Sequence, residues 1–176
     1  MKPLTILLLA ATMSLAAEGS DIGVRAHLLV PASDLHDMTD GQLGLGAALF
    51  VSIPATPSLV IRPLVGFQYI PEGDTLGLMG TKTSVSSMDV MVDGLWFPDE
   101  DPTHGAYLIG SVGLQQWRIK ASGTTNSNIS YGRLGANAGL GYQYSPRLGF
   151  ELRGFWSPID DTIKATGLLV CATVKF

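Results

Sequence analysis

Charge is scarce in this chain. Asp, Glu, Lys and Arg together make up 15% of its 176 residues, whereas soluble domains carry about a quarter. Basic residues are the scarcer sign, 11 against 15 acidic ones, so the positive footprint of a nucleic-acid binder is missing. A single cysteine, Cys171, excludes an internal disulfide and reads as a small, weakly polar filler. Beyond the N-terminus no apolar run approaches 18 residues, which excludes a membrane-spanning helix. What is plentiful is apolar residues, at 46%, and glycine, at 21 residues. A chain that is greasy, glycine-rich and nearly uncharged is a poor soluble globule.

The first residues have the form of a secretory signal. Met1-Lys2 is a short basic start, residues 4–11 are an apolar run, and Ser14-Leu15-Ala16 places small residues at a cleavage site. Cleavage is expected after Ala16 or Ala17. Residues 1–17 are therefore assigned to the signal peptide and 18–176 to one domain. Loss of Lys2 leaves 10 basic and 15 acidic residues, a net charge near −5.

Through the rest of the chain, apolar residues recur every second position, the period of a strand. Eight such segments are predicted, over residues 22–30, 42–53, 59–70, 84–97, 105–119, 131–144, 148–157 and 167–176. In the last, Leu168, Val170, Ala172 and Val174 alternate with smaller or more polar residues, and the chain ends on Phe176. Pro63 has no N–H to donate, so a bulge or break is expected there. Arg118 interrupts an apolar face and marks where the fifth strand rises above a membrane. Short turn-like segments at 54–58, 98–104 and 145–147 alternate with longer ones at 31–41, 71–83 and 120–130 and the brief 158–164. Outer-membrane barrels keep short turns in the periplasm and longer loops outside, which sets the expected orientation.

The polar faces carry Arg25, Arg62, Asp89, Asp93, Arg133, Glu151, Arg153 and Lys175 among many Gly and Ala. Buried charges must pair, and the interior of an eight-stranded barrel is just wide enough for side chains to fill. These eight residues are expected to form a polar network inside a barrel, with the four arginines at 25, 62, 133 and 153 meeting Asp89, Asp93 and Glu151. Phe67, Tyr69, Trp96, Phe97, Trp117, Tyr142, Tyr144, Phe150, Trp156 and Phe176 lie towards strand ends, as interfacial girdles do.

The alternating terminal strand with its final Phe176, the glycine-rich stretch from Gly105 to Leu114, and Leu134 to Tyr144 followed by Ser145-Pro146-Arg147 and Leu148 to Arg153 carry a resemblance. They resemble the small eight-stranded outer-membrane β-barrels, the class of the OmpA transmembrane domain, OmpX and OmpW. The resemblance implies an all-β, antiparallel up-and-down transmembrane barrel in a bacterial outer membrane. It also implies that Phe176 is the assembly signal. Expected partners are outer-membrane lipid and lipopolysaccharide, the barrel-assembly machinery and periplasmic chaperones, for a monomeric protein with no nucleic-acid partner. No cofactor is expected.

The expected role is structural, at the cell surface, without catalysis. A narrow pore and an adhesin or surface-recognition protein acting through the outer loops are the alternatives. Some barrels of this size modify lipid A, and His27 or His36, near Ser33, Asp34 and Asp37, is the only combination that suggests such chemistry; its spacing fits no known motif. His104 sits in an expected periplasmic turn. Asp34, Asp37 and Asp40 recur at steps of three, but lack the glycine of an EF-hand loop. Neither set is assigned as a catalytic or metal site.

Overall fold

A computed structural model describes residues 19–75, 80–123, 127–160 and 162–176. The expected signal peptide and cleavage residues Ala16 and Ala17 lie outside the described residues. Eight strands form one closed antiparallel barrel in chain order. They are β1 (Asp21–Ala32), β2 (Gly44–Thr56), β3 (Leu59–Asp74), β4 (Lys82–Trp96), β5 (Gly105–Ser122), β6 (Ser127–Gln143), β7 (Leu148–Pro158) and β8 (Lys164–Lys175). A six-residue helix, α1 (Asp34–Thr39), follows β1. It occupies part of the connection expected as a loop over residues 31–41.

The seam between β1 and β8 runs from Gly23 opposite Lys175 to Ala32 opposite Thr166. The Phe176 N–H donates to the Ile22 carbonyl at 2.8 Å. Closure satisfies the backbone groups that lipid cannot.

Alternation sorts the side chains as a bilayer requires. Leu45, Leu49, Val112, Leu114, Leu134 and Leu140 point outward, with Leu134 68% exposed, while the inward Arg62 and Arg153 are at most 1% exposed. A soluble barrel would reverse that assignment. Phe67, Tyr69, Trp96, Tyr142, Tyr144, Phe150, Trp156 and Phe176 all lie on the outer wall. Phe97 and Trp117 do not. Both are 1% exposed: Trp117 shares its face with inward Gln115, and Phe97 stacks on Tyr107 inside, with ring centroids 4.7 Å apart.

Large inward side chains lie over glycines of the next strand. Phe50 faces Gly23 and His27 faces Gly46, Tyr107 faces Gly141, and Phe155 faces Gly167. A Cβ at any of these glycines would meet the facing ring. The glycine abundance is thus a space allowance, set strand by strand, for a filled lumen.

The break expected at Pro63 occurs on one side of the strand only. Pro63 keeps regular pairing with Val92 on β4. Towards β2 the paired residues stop at Phe50–Leu64 and resume at Ile53–Ile61 in the same register, and the shift occurs instead between Pro54 and Thr56. The missing N–H removes a rung without displacing the strand. A second shift, in the pairing of β3 with β4, lies between Ile70 and Gly73, beside Pro71.

The segments expected as long loops are in part strand. Much of residues 71–83 and 120–130 is strand, because the β3–β4 and β5–β6 hairpins continue to Asp74–Lys82 and Ala121–Ser127. One end of the barrel carries these projecting hairpins and α1; the other carries Asp21, Phe176 and the tight connections. The projecting end is the one expected to face outward, since it lies opposite the short turns.

Candidate functional site: the closed lumen

The lumen is filled in layers. At the middle, Asp93 accepts hydrogen bonds from Arg62 Nε at 3.0 Å and Nη2 at 2.8 Å, from Arg153 Nη2 at 2.8 Å and from Ser111 Oγ at 2.7 Å. Glu151 accepts from Arg62 Nη2 at 2.7 Å, from Arg153 Nε at 2.9 Å and Nη2 at 2.6 Å, and from the Tyr107 hydroxyl at 2.9 Å. Arg25 approaches Asp93 at 3.8 Å from the far side. The Arg62 guanidinium also lies 4.9 Å from the centre of the Phe50 ring. Two carboxylates therefore hold three guanidiniums in a space sealed from solvent. Charge-assisted bonds of this kind are the strong ones.

Only part of the expected network enters this cluster. Arg25, Arg62, Arg153, Asp93 and Glu151 do. Asp89 faces inward but takes its hydrogen bond from Ser87 at 2.7 Å rather than from an arginine. Arg133 faces inward opposite Gln115, half-buried towards the outer end, where its charge acts on Asp160. Lys175 is buried near the chain ends, opposite Gly23. Parity gave the correct face for all of them. Height along the strand, which decides who meets whom, depends on stagger between strands.

Beside the cluster, Nε and Nη1 of Arg25, both ring nitrogens of His27, Nε2 of Gln68 and Oε1 of Gln115 are buried and hydrogen-bond to no described protein group. Compensation in this layer is incomplete.

Above the ions the lumen turns apolar. Leu29, Leu35, Ile70, Val85, Trp117, Ile119, Phe155, Ile159, Ala165, Leu169 and Cys171 form one buried cluster, with Met38, Tyr131 and Ile163 against it. Leu35 comes from α1 and is fully buried, so the helix caps the mouth. Trp117 Nε1 donates to Ser157 Oγ at 3.0 Å beneath it. The helix is held by contact with Gly73, where a Cβ would strike the Thr39 carbonyl, and by the Lys164 N–H, which donates to Asp34 at 2.9 Å. Below the ions, Val60, Leu95, Phe97, Tyr107 and Ile109 form a second apolar cluster.

The three histidines do not assemble a reactive site. His27 is buried beside Arg25, whereas His36 lies exposed on α1 with its Nδ1 3.3 Å from Asp37. His104, in the β4–β5 connection, lies 3.2 Å from the Tyr144 carbonyl and 3.3 Å from the Tyr142 hydroxyl. Asp34 is occupied by Lys164, and Asp40 caps α1 in a left-handed conformation. Among the described residues no group of three or more His, Cys, Asp or Glu side chains could hold a metal ion. On the outer rim, Asp160 accepts from the N–H groups of Ile163 and Thr162 and from the Thr162 hydroxyl. Those donors hold its carboxyl below the usual carboxylate range.

No protein-family model and no curated protein matches the chain. Solved structures do. Ail, the attachment invasion locus protein of Yersinia pestis, is similar at 14% identity and a TM-score of 0.59, over 89% of this chain and 96% of its own. Neisserial surface protein A is similar at 15% identity and a TM-score of 0.61, over 90% and 98%. This is the fold of the small outer-membrane barrels. The N-terminal barrel domain of Pseudomonas aeruginosa OprF is also similar, at 12% identity and a TM-score of 0.57, over 89% and 97%. With its apolar wall and ionic interior, the chain is an outer-membrane β-barrel.

Proposed function

We propose that this barrel is a closed, non-catalytic surface protein whose role in the envelope is structural. The observation that carries the reading is the triple seal of the lumen: apolar packing beneath α1, the arginine–carboxylate layer, and the cluster around Phe97 and Tyr107. A solute would have to break ion pairs between side chains at most 1% exposed. Wide aqueous channels belong to barrels of 16–18 strands. Reconstitution in planar bilayers tests this directly. The expected outcome is a flat current trace from protein whose folded form migrates apart from the boiled form on a gel. Reproducible single-channel steps would replace this reading with the pore.

A second reading, recognition at the cell surface, has one observation in its favour. β5 and β6, the longest strands at 18 and 17 residues, continue to Ala121 and Ser127 and lift a polar wall above the apolar belt. Ail is named for attachment and has been solved with the heparin analogue sucrose octasulfate. Adhesion of cells displaying this chain, compared with cells displaying a form shortened in that hairpin, separates the two readings.

A further inference from the structure

Between the two apolar layers of the lumen, Arg25, Arg62 and Arg153 stand with Asp89, Asp93 and Glu151, all buried. The two signs are equal in number, but contact among them is uneven. Asp93 and Glu151 are shared by Arg62 and Arg153 at 2.6 to 3.0 Å. Arg25 has the 3.8 Å approach to Asp93, and Asp89 has its bond from Ser87. One cation and one carboxylate are thus left over.

Strand register places these two at the ends of one row. Arg25, Ala48, Gly66 and Asp89 lie opposite one another across β1 to β4. The Asp89 carboxylate leans back over Gly66, where a Cβ would lie 3.6 Å from Oδ2. Within the row, Ala48 alone then separates that carboxylate from Arg25. The next row towards α1 holds His27, Gly46, Gln68 and Ser87. The His27 ring lies over Gly46, with the Gln68 amide beside it. The charge of Arg25 acts on both His27 and Asp89. Nε and Nη1 of Arg25, Nε2 of Gln68 and both His27 nitrogens have no hydrogen-bond partner among the described residues. Their side chains belong to residues at most 5% exposed. The unpaired Gln115 Oε1 is turned away, over Gly135.

Unmet guanidinium donors in a dry interior are too costly to persist. Charge balance selects what meets them. With three cations matched by three carboxylates, an added ion of either sign would itself be uncompensated. A neutral group that both donates and accepts fits, and water held by two to four polar partners is such a group. We propose that ordered water in this gap joins Arg25 to Asp89, which makes Asp89 the third counter-ion of the middle layer. The water accepts from Arg25 Nε and Gln68 Nε2 and donates to Asp89. His27 completes the shell through either nitrogen, as donor or acceptor according to its tautomer. The site lies inside the seals of the lumen, so a dry gap would leave the closed-barrel reading intact.

The test uses isotope-labelled barrel refolded in lipid nanodiscs, with magnetisation transfer from water read at side-chain N–H groups by solid-state NMR. Arg25 Nε–H is expected to receive it at least fivefold faster than Trp117 Nε1–H, which is held by Ser157 in the apolar layer. Equal rates overturn the water. Ala48→Val, which narrows the gap and leaves both charges in place, is expected to slow transfer to Arg25 at least threefold, and an unchanged rate overturns the position over Ala48. Replacing chloride by gluconate is expected to leave the Arg25 Nε resonance in place; a chloride-dependent shift would make the occupant an anion and overturn water. The link to Asp89 is read by urea unfolding from vesicles of Arg25→Met, Asp89→Asn and the double variant. The increase in unfolding constant for the double variant is expected to fall at least tenfold short of the product of the two single increases. Single effects that simply multiply overturn Asp89 as the counter-ion. Heat-modifiable migration of each variant confirms that a folded barrel is being compared.

Discussion

Around Asp93 and Glu151 the lumen is filled by three guanidiniums and their acceptors, whereas beneath α1 it is filled by Leu29, Leu35, Ile70, Trp117 and Phe155. Both layers exclude bulk solvent, but their responses to damage differ. In the ionic layer every member depends on the charge of the others, because removal of one carboxylate leaves buried arginines uncompensated. In the apolar layer each side chain contributes its own contacts, and neighbours partly close over a loss. The ionic middle is therefore the brittle part of the barrel, and the cap is the forgiving part.

That contrast orders the expected effects of substitution. Asp93→Ala should be the most damaging, since Asp93 accepts from Arg62, Arg153 and Ser111 and lies nearest Arg25. A loss of about 3–5 kcal/mol is expected, as for other broken buried pairs. It would be read as a lower urea midpoint for unfolding from lipid vesicles. Asp93→Asn should recover part of that loss, since it keeps the shape but not the charge. If the two variants are equally stable, charge is not what holds the middle layer.

Leu35→Ala should cost less, about 2–3 kcal/mol, towards the low end for buried leucines because a six-residue helix can resettle. Gly73→Ala should act in the same direction by pushing on the Thr39 carbonyl. Neither variant should conduct, because the ionic layer stays shut below. Conductance in Leu35→Ala would mean that the cap, not the ions, closes the lumen. A cost above that of Asp93→Ala would invert the comparison.

The smallest effect concerns the rim. The Asp160 carboxylate accepts three hydrogen bonds in the β7–β8 turn, and its folded pKa is lowered. Such a group adds stability that is fully present above the ordinary carboxylate pKa of about 3.9 and is lost as pH falls through the lower, folded value. Amide exchange at Thr162 and Ile163 should therefore quicken at strongly acidic pH. Asp160→Asn should remove most of that pH dependence while leaving the barrel folded. An unchanged acid profile in that variant would show that the acid response arises elsewhere.

Much of the fold was readable residue by residue. Alternation from Asp21 to Lys175 assigned faces correctly because a period of two is local to each strand. Arg62 and Asp93 could be assigned to the same interior on that ground alone. What alternation could not supply was height. Arg133 and Asp89 share the interior with the ion cluster but sit apart from its core, and Trp117 and Phe97 lie in the lumen rather than in the outer girdle. Helix α1 was missed because Asp34-Leu35-His36-Asp37-Met38-Thr39 is too short for a periodic signal. Its formation depends on Leu35 finding an apolar mouth to fill.

By itself, the sequence determined that this chain must form strands with one face for lipid and one for a crowded polar interior. Both properties follow from spacing along a single strand and from the small number of charges. Only the tertiary structure decided which charges touch, which glycines clear space for which rings, and that a helical turn closes the outer mouth. Those outcomes depend on the stagger between neighbouring strands, a relation between segments that no single segment encodes.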